Sequence, residues 1–282
     1  MRSIAISNQK GGVGKTTTAA NLGACIAELG KNVVLVDMDP QANLSIHLGA
    51  DIDRDEASVY TLIRREDSLE ETMRDTPLDN LKVIPSNIDL AGLEVELSTE
   101  TLGRERCLAR VLKRLEDNFD YLVIDCPPSL GLLTLNSMCA VDEIFIPLQT
   151  EFFALQGLGR LMRTVKLVQS SLKSSVRVSG IIASMFDVRT SLAIEVLQDI
   201  QKHFGKKVFD TVVRKNVRLA EAPSFGLPIT LYDSECYGTE DYRSLAREVV
   251  AMAGEWVDIP IEDESTPPLP ETAKTTELAR AG

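Results

Sequence analysis

A glycine-rich segment near the amino terminus, SNQKGGVGKTTTAA, contains the residue types that bind phosphate. Gly14, Lys15 and Thr16 supply the closing G-K-T of the loop G-x-x-x-x-G-K-[ST]. Glycines let backbone N–H groups turn towards phosphate oxygens, and the start of the following helix adds partial positive charge. The segment departs from the loop pattern because Gln9 replaces the opening glycine and Lys10 adds a second cation. It therefore predicts a phosphate site with one lysine more than the loop requires.

Three aspartates follow two apolar runs that are typical of strands. Asp125 ends the run DYLVID, and Asp37 and Asp39 lie at the end of NVVLVDMD. A lone aspartate at a strand end more often forms a turn or caps a helix. Beside a phosphate loop, however, three aspartates at the ends of two strands favour a function, and Asp125 can reach Mg²⁺ directly or through a water molecule, with the hydroxyl of Thr16 completing the shell. These residues therefore predict a magnesium site next to the phosphates.

Short β-branched runs alternate with longer helical patterns along most of the chain. Strands that are apolar throughout are typical of a parallel sheet covered on both faces. We predict an α/β fold, namely a doubly wound, mostly parallel sheet of about eight strands with helices on both faces, which binds its ligand at the carboxyl ends of the strands. The predicted strands are Ser3–Ser7, Asn32–Asp37, Leu81–Pro85, Tyr121–Asp125, Glu143–Pro147, Arg177–Ser184, Val208–Val213 and Pro228–Leu231. The predicted helices include Lys15–Leu29, Leu102–Asp117, Leu158–Leu172 and Leu192–Phe204.

The chain shows one sharp change of composition. Residues 1–258 contain no repeat or linker and are expected to form a single nucleotide-binding P-loop domain. Residues 259–282 are acidic and proline-containing, with few large apolar side chains, and we expect a disordered tail there. No apolar run approaches the roughly 18 residues of a membrane-spanning helix. The five cysteines are scattered without a C-x-x-C pair, which is typical of a reduced cytoplasmic protein.

Charge is distributed unevenly along the sequence. The whole chain has a net charge of −12, which by itself argues against nucleic acid as a ligand. Between Arg160 and Arg218, however, 12 lysines and arginines stand against 4 acidic residues, a local balance of +8. A basic segment within an acidic protein is either a solvated face or the footprint of a polyanion.

The motifs taken together resemble those of a known group of proteins. KGGVGKTT, DMDPQAN and DYLVIDCPPSLG are similar to motifs of the deviant-Walker ATPases, the group of MinD and ParA. IPLQTEFFALQGL, MFDVRTSLA and NVRLAEAPSFGLPI resemble the ParA/Soj branch, the partition ATPases of chromosomes and plasmids. The resemblance covers residues 1 to about 250. It implies that the cofactors are ATP and Mg²⁺ and that the reaction is a slow hydrolysis of ATP.

The resemblance also implies roles for individual residues. Lys10 is expected to reach across an ATP-dependent homodimer to the partner's nucleotide, where a cation stabilises charge in the transition state as an arginine finger does. Lys15 and Asp39 complete the expected catalytic set, with Asp39 positioning the attacking water. Thr16 and Asp125 would hold Mg²⁺. The expected nucleotide-binding residues are Lys10, Gly11, Gly12, Val13, Gly14, Lys15, Thr16, Thr17 and, at the adenine edge, Asn216. Near Asn216 the chain reads VVRKN where the family has IPRN, so Arg214 replaces a proline.

The same resemblance gives the basic segment a function. Arg189 and Arg218 are expected to bind double-stranded DNA without sequence preference, and a homodimer would double the number of phosphate contacts. The expected partner is a ParB-like centromere-binding protein that accelerates hydrolysis. The expected location is the cytoplasm, in association with the nucleoid and without membrane binding.

Other functions remain open at the level of sequence. A MinD-like membrane ATPase would need a basic amphipathic helix at the carboxyl terminus, whereas the tail is acidic and contains prolines. A reductase similar to the nitrogenase iron protein would need cluster-binding cysteines, and the surroundings of Cys126 and Cys139 lack the glycine-rich motifs of that family. A small-molecule kinase could use the same phosphate loop.

Overall fold

The computed structural model describes residues 1–64, 67–115, 118–172 and 175–252. Within these residues seven strands form one sheet in the order β3-β4-β2-β5-β1-β6-β7, and all neighbouring pairs are parallel except the antiparallel pair of β3 and β4. The predicted α/β class with a mostly parallel sheet is therefore confirmed. The strands are β1 (Arg2–Ile6), β2 (Val33–Asp37), β3 (Arg74–Asp75), β4 (Leu81–Ile84), β5 (Tyr121–Asp125), β6 (Glu143–Gln149) and β7 (Arg177–Ser184).

Helices cover both faces of the sheet because the buried strands are apolar on both sides. In β2, for example, Val34 and Val36 belong to one hydrophobic cluster, whereas Val33 and Leu35 belong to the other. The first cluster lies against α3 and α5–α9, and the second against α1, α2, α11 and α12. The helices are α1 (Lys15–Glu28), α2 (Asn43–His47), α3 (Val59–Arg64), α4 (Leu69–Thr72), α5 (Leu90–Thr99), α6 (Cys107–Leu112), α7 (Leu132–Cys139), α8 (Ala154–Leu172), α9 (Ser191–Phe204), α10 (Val217–Glu221), α11 (Ile229–Tyr232) and α12 (Tyr237–Ala251).

Helix α1 is the most deeply buried of the helices that carry site residues. It packs on the sheet and on α12, and small residues along its length allow the close approach. A Cβ atom added at Gly23 would lie 2.7 Å from the side chain of Leu35 in β2. Burial on two sides fixes the helix, and therefore fixes the loop that precedes it.

The strand register places the predicted site residues at one edge of the sheet. Ile6 at the end of β1 pairs with Asp125 at the end of β5, and Asp125 pairs in turn with Asp37 at the end of β2. The glycine-rich loop begins directly after Ile6. Since parallel strands end at the same edge, the loop and both carboxylates meet at their carboxyl ends.

Four segments differ from the sequence-based expectations. The predicted helix Leu102–Asp117 is α-helical among the described residues only in α6, between 3-10 turns at Arg104–Arg106 and Lys113–Leu115. Val208–Val213 lies along the edge of β7, with an isolated bridge at Val208 and hydrogen bonds from Phe209 N–H to Ile181 O and from Val213 N–H to Ala183 O, but it forms no strand. Pro228–Leu231 was expected to be a strand, but the chain there enters the short helix α11, because Pro228 precedes the first turn and the side chain of Asn21 accepts the N–H of Ile229 at 2.7 Å. The two-residue strand β3 was not predicted. The expected tail, residues 259–282, and the domain boundary at residue 258 lie outside the described residues.

Candidate functional site

The glycine-rich loop forms an open cradle between β1 and α1. Gly12 and Gly14 have φ angles of 71° and 84°, in the left-handed region that favours glycine. Neighbouring strand ends hold two carbonyl groups of the loop: Ser184 Oγ donates to Val13 O at 2.8 Å, and Gln149 Nε2 donates to Gly12 O at 3.2 Å. No side chain caps the start of α1. The N–H groups of the loop and of the first helical turn are thus arranged for an anion.

Lys15 is a buried cation without a carboxylate partner in the described part of the chain. Its side chain is only 7% exposed, and its Nζ donates to the carbonyl oxygen of Lys10 at 3.4 Å. Burial lowers the pKa of Lys15, and the negative charge of Asp125 opposes that shift. A phosphate in the cradle would supply the opposite charge that this ammonium group lacks.

Thr16 and Asp125 lie together beneath the loop. Thr16 Oγ1 donates to Asp125 Oδ2 at 2.6 Å, while the buried Asp125 Oδ1 has no hydrogen-bond partner. Burial, with the nearby charge of Asp37, raises the pKa of Asp125 well above its usual range. An unsatisfied buried carboxylate oxygen beside a hydroxyl fits Mg²⁺ or one of its water ligands, and the cation would also stabilise the ionised carboxylate. These two residues therefore fit the predicted magnesium site.

The two aspartates after β2 have different surroundings. Asp37 is fully buried and accepts hydrogen bonds from the N–H of Asp39 at 3.0 Å and from the N–H and hydroxyl of Ser45 at 2.9 and 2.8 Å. Burial raises the pKa of Asp37 to about 6. Asp39 accepts only the N–H of Gln41, through Oδ1 at 3.0 Å, among the described residues. Asp37 therefore fixes the loop, and Asp39 retains a free carboxylate oxygen that can bind water.

Lys10, the additional lysine, lies on the rim of the site. Its side chain is 55% exposed, and its Nζ lies 2.6 Å from Glu151 Oε2 and 3.3 Å from Gln149 Oε1. Both partners follow or end β6, the neighbour of β1 in the sheet. Both residues belong to the motif IPLQTEFFALQGL, whose resemblance to the ParA/Soj branch implied no role for either of them. Their position at the carboxyl end of a predicted strand was the signal that could have found them.

The predicted adenine-contacting segment lies at the start of α10. Asn216 caps this helix by accepting the N–H of Arg218 at 2.8 Å. Arg214, which stands where the family has proline, binds the carboxylate of Asp241 at 2.6 Å and lies over the ring of Tyr237. This pairing ties the segment to α12. Thr17 belongs to the first turn of α1, where its carbonyl oxygen accepts the side chain of Asn21.

The two arginines expected to bind DNA are both exposed and both paired with acidic residues of this chain. Arg189 forms two hydrogen bonds with Asp187, at 2.9 and 2.8 Å. Arg218 lies 2.9 Å from Glu221 and 3.3 Å from Asp233. Neither is part of the phosphate cradle. A DNA phosphate would have to compete with these carboxylates.

Two further findings concern the described residues only. None of their helices is both long enough and apolar enough to cross a bilayer. They also contain no cluster of three or more His, Cys, Asp or Glu side chains arranged to hold a metal ion. The five cysteines are free, and burial raises the pKa of Cys126 to about 12.

A phosphate cradle between the first strand and helix of a parallel sheet, with a lysine and threonine at the helix start and an aspartate on a neighbouring strand, defines a P-loop nucleotide-binding protein. Comparison with known proteins agrees. Residues 1–178 match the family model described as an AAA domain. A Mycobacterium smegmatis structure described as cobyrinic acid a,c-diamide synthase, with bound ADP and magnesium, superimposes with a TM-score of 0.77 at 34% identity, covering 89% of this chain and 95% of that one.

Curated relatives define the family more narrowly. The Bacillus subtilis sporulation initiation inhibitor protein Soj is 49% identical over 88% of this chain and 98% of its own length. The Caulobacter vibrioides chromosome partitioning protein ParA is 46% identical over 89% of this chain and 94% of its own length. The chain therefore belongs to the Soj/ParA family, as the sequence motifs indicated.

Proposed function

We propose that this protein is an ATP-driven switch in chromosome or plasmid partition. In this proposal the ATP-bound chain forms a homodimer, the homodimer binds duplex DNA without sequence preference, and slow hydrolysis releases it. The partition relatives carry more weight than the diamide synthase because their identity is higher, 46–49% against 34%, over a similar share of the chain. The observation that carries the proposal is the contrast between two lysines, with Lys15 buried in the cradle and Lys10 exposed on its rim.

Binding and hydrolysis of ATP would use the residues already described. Lys15 would contact the β- and γ-phosphates, and the N–H groups from Gly11 to Thr17 would surround the phosphate oxygens. Thr16 and Asp125 would hold Mg²⁺, which neutralises phosphate charge when bound. The free carboxylate oxygen of Asp39 would orient a water molecule for attack on the γ-phosphate. ATP and Mg²⁺ as cofactors also agree with the ADP and magnesium found in the Mycobacterium smegmatis relative.

Lys10 would act only in the dimer. On the isolated chain its ammonium group is bound to Glu151 and Gln149 on the rim. To reach a partner's phosphates it must leave this exposed ion pair, and exposed pairs contribute only about 0–1 kcal/mol. A triphosphate offers more negative charge than one carboxylate. Dimerisation would therefore depend on the γ-phosphate, which links nucleotide state to assembly.

DNA binding would follow from dimerisation. Arg189 and Arg218 are exposed, so a phosphate can displace their carboxylate partners at small cost. Two chains present two copies of these arginines, and the contacts add along one duplex. A ParB-like partner would accelerate hydrolysis, and the protein would act in the cytoplasm on the nucleoid without a membrane.

The test is co-sedimentation of the purified chain with non-specific duplex DNA in ATP, ADP or no nucleotide. We expect wild-type protein to bind DNA only with ATP. Lys10→Ala should lose both dimer and DNA because it acts through assembly. Arg189→Ala should dimerise normally yet bind DNA more weakly.

The proposal fails if the wild type dimerises with ATP but does not bind DNA at low salt. In that case the ATPase moves a different cargo. A parallel sedimentation with anionic liposomes tests the MinD-like alternative, for which ATP-dependent binding to vesicles is the expected result. An iron–sulfur protein would be coloured, so the visible spectrum of the purified chain tests the reductase alternative.

A further inference from the structure

Helix α8 presents an exposed face that carries only positive charge. Arg160, Arg163 and Lys166 are all exposed, and the whole helix, Ala154–Leu172, contains no aspartate or glutamate. The opposite face buries Leu158, Leu161, Val165 and Val168 in the first hydrophobic cluster. We call the three cations the α8 basic stripe. It lies within the basic segment noted in the sequence, but no role was given to it there.

The α8 basic stripe differs from the exposed cations Lys10, Arg189 and Arg218 in its lack of carboxylate partners. None of its three cations forms an ion pair with a carboxylate anywhere in the described ranges. Arg189 and Arg218, by contrast, are bound to acidic side chains of the same chain. A ligand phosphate would meet no competing carboxylate at the stripe. Three unpaired cations on one helix face of a protein with net charge −12 are best explained by an anionic ligand.

The geometry of the stripe suits a nucleic-acid backbone. At a rise of about 1.5 Å per residue, the six steps from Arg160 to Lys166 span about 9 Å along the helix axis. A duplex carries one phosphate per ~3.4 Å of axis on each strand, so this length matches about three phosphate steps. A membrane surface fits less well, because the apolar face of α8 is already packed against the sheet.

The position of α8 connects the stripe with the expected DNA-binding arginines. Helix α8 links β6 to β7, and α9 follows β7, with Ile200 of α9 in the same hydrophobic cluster as the buried face of α8. Both helices therefore cover the same face of the sheet, and Arg189 lies just before the start of α9 at Ser191. Arg189 therefore precedes a helix that lies on the same side of the sheet as α8.

We propose that the α8 basic stripe is a second contact surface for the phosphates of duplex DNA. This inference rests on the proposed function, because it assumes that the ATP-bound protein binds DNA. The stripe contacts backbone phosphates only, so it adds affinity without sequence preference. None of its cations must first break an ion pair. The stripe therefore contributes to the initial association with DNA at low salt, before the paired arginines bind.

The experiment measures DNA affinity against salt concentration for wild type and for the triple variant Arg160→Gln/Arg163→Gln/Lys166→Gln. Glutamine keeps a high helix propensity, so α8 should remain folded. Each lost phosphate contact lowers the slope of log K against log salt by about 0.9, so three contacts lower it by about 2.7 per chain. We expect the affinity at low salt to fall by at least about tenfold. ATP-dependent dimerisation and ATP hydrolysis without DNA should be unchanged.

A matched control removes three positive charges elsewhere. Lys31→Gln/Lys113→Gln/Arg247→Gln changes the net charge equally at residues that form no ion pair in the described part of the chain. It should leave the salt slope close to that of wild type. An equal loss in control and stripe variants would mean that only net charge matters, and would overturn the inference.

The outcomes separate this inference from the proposed function. If wild-type protein does not bind DNA with ATP, the proposed function fails first. If the wild type binds and the stripe variant keeps the same affinity and slope, the stripe is a solvated face and the inference alone is wrong. Tighter binding by the stripe variant would also overturn it, since the stripe would then hold an acidic segment of the protein rather than DNA.

Discussion

At the scale of single residues, the site separates two aspartates that look alike in sequence. Asp37 and Asp39 are two positions apart, but only Asp37 is saturated with hydrogen bonds from Ser45 and the backbone. The sequence placed both at a strand end beside the phosphate loop. It could not show which one was free, because Ser45 lies eight residues further along the chain and meets Asp37 only after folding.

Substitution of these two residues should have opposite consequences. Asp39→Asn removes a base or water-positioning group and should lower ATP hydrolysis by about 10²-fold or more, with little change in unfolding free energy. Asp37→Asn weakens a buried hydrogen-bonded network and should lower the unfolding free energy by about 1–3 kcal/mol. Urea unfolding and phosphate release on both variants check this. Equal loss of stability in the two variants would contradict the assignment.

Glu151 is the residue whose removal tests the state of Lys10. Glu151→Gln abolishes the exposed ion pair at 2.6 Å and leaves Lys10 free to reach a second chain. An exposed pair contributes up to about 1 kcal/mol, or about fivefold, and a homodimer releases two such pairs, so ATP-dependent dimerisation should tighten by up to about 25-fold. Sedimentation equilibrium with a slowly hydrolysed ATP analogue measures this.

Lys82→Gln is the control for Glu151→Gln, because Lys82 of β4 also forms an exposed ion pair, with Asp75 of the edge strand β3. Its dimerisation should equal that of wild type. Weaker dimerisation of Glu151→Gln would instead indicate that Glu151 holds the lysine of the other chain.

At the scale of elements, α2 contains a buried histidine that should make stability depend on pH. His47 is 1% exposed, its Nε2 has no hydrogen-bond partner, and burial lowers its pKa to about 4. The usual value in an unfolded chain is about 6.5. Between these values the unfolded chain binds a proton that the folded chain does not, so stability is present above pH 6.5 and declines as the pH falls towards 4.

The predicted loss from His47 between pH 8 and pH 5 is about 2 kcal/mol of unfolding free energy. The variant His47→Gln should not show this loss of unfolding free energy between pH 8 and pH 5. Asp37, whose raised pKa gives the opposite slope, is present in both proteins and cancels in the comparison. Urea unfolding at the two pH values tests the difference. If the variant is too unstable to study, NMR titration of the imidazole in wild type should still give a pKa well below 6.5.

Elements were predictable where they carry their own hydrophobic pattern. Strands β1, β2 and β5 and helix α1 were found within about one residue, since apolar runs and the G-K-T sequence mark them. Val208–Val213 has the same β-branched character, but its isolated bridge and two hydrogen bonds to β7 are too few to form a strand. Local sequence cannot distinguish a sheet strand from a segment that covers the sheet edge, because the two differ only in how many hydrogen bonds they form with the neighbouring strand. The two residues of β3 are too few to give a pattern.

At the scale of the whole molecule, two adjacent aromatic residues lie exposed beside the nucleotide site, where the proposed function needs an interface. Phe152 and Phe153 follow Glu151 on the rim and are 68% and 70% exposed, with their rings 5.1 Å apart. Large aromatic side chains exposed beside a nucleotide site are typical of an interface that is covered on assembly. The position next to Lys10 places this surface where the proposed dimer must close.

Removal of the aromatic pair should separate assembly from nucleotide binding. Phe152→Ser/Phe153→Ser should bind ATP with near wild-type affinity but remain monomeric, and its DNA binding should fall with the dimer. Leu102→Ser, at a residue 89% exposed between α5 and α6, serves as the control and should dimerise normally. Light scattering with an ATP analogue measures the oligomeric state, and fluorescence titration measures the affinity for the nucleotide. Normal dimerisation of the phenylalanine variant would place the interface elsewhere.

Both edges of the sheet are closed to additional strands. On one side β3 is only two residues long, and on the other the segment after α9 bonds to β7 through Phe209 N–H to Ile181 O at 3.0 Å and Val213 N–H to Ala183 O at 2.8 Å. An open edge would invite pairing between chains into continuous sheets. The proposed function would gather many copies along one DNA molecule. With one sheet edge too short to pair and the other covered, such copies would meet through side-chain surfaces that separate again, so crowding should remain reversible instead of seeding aggregates.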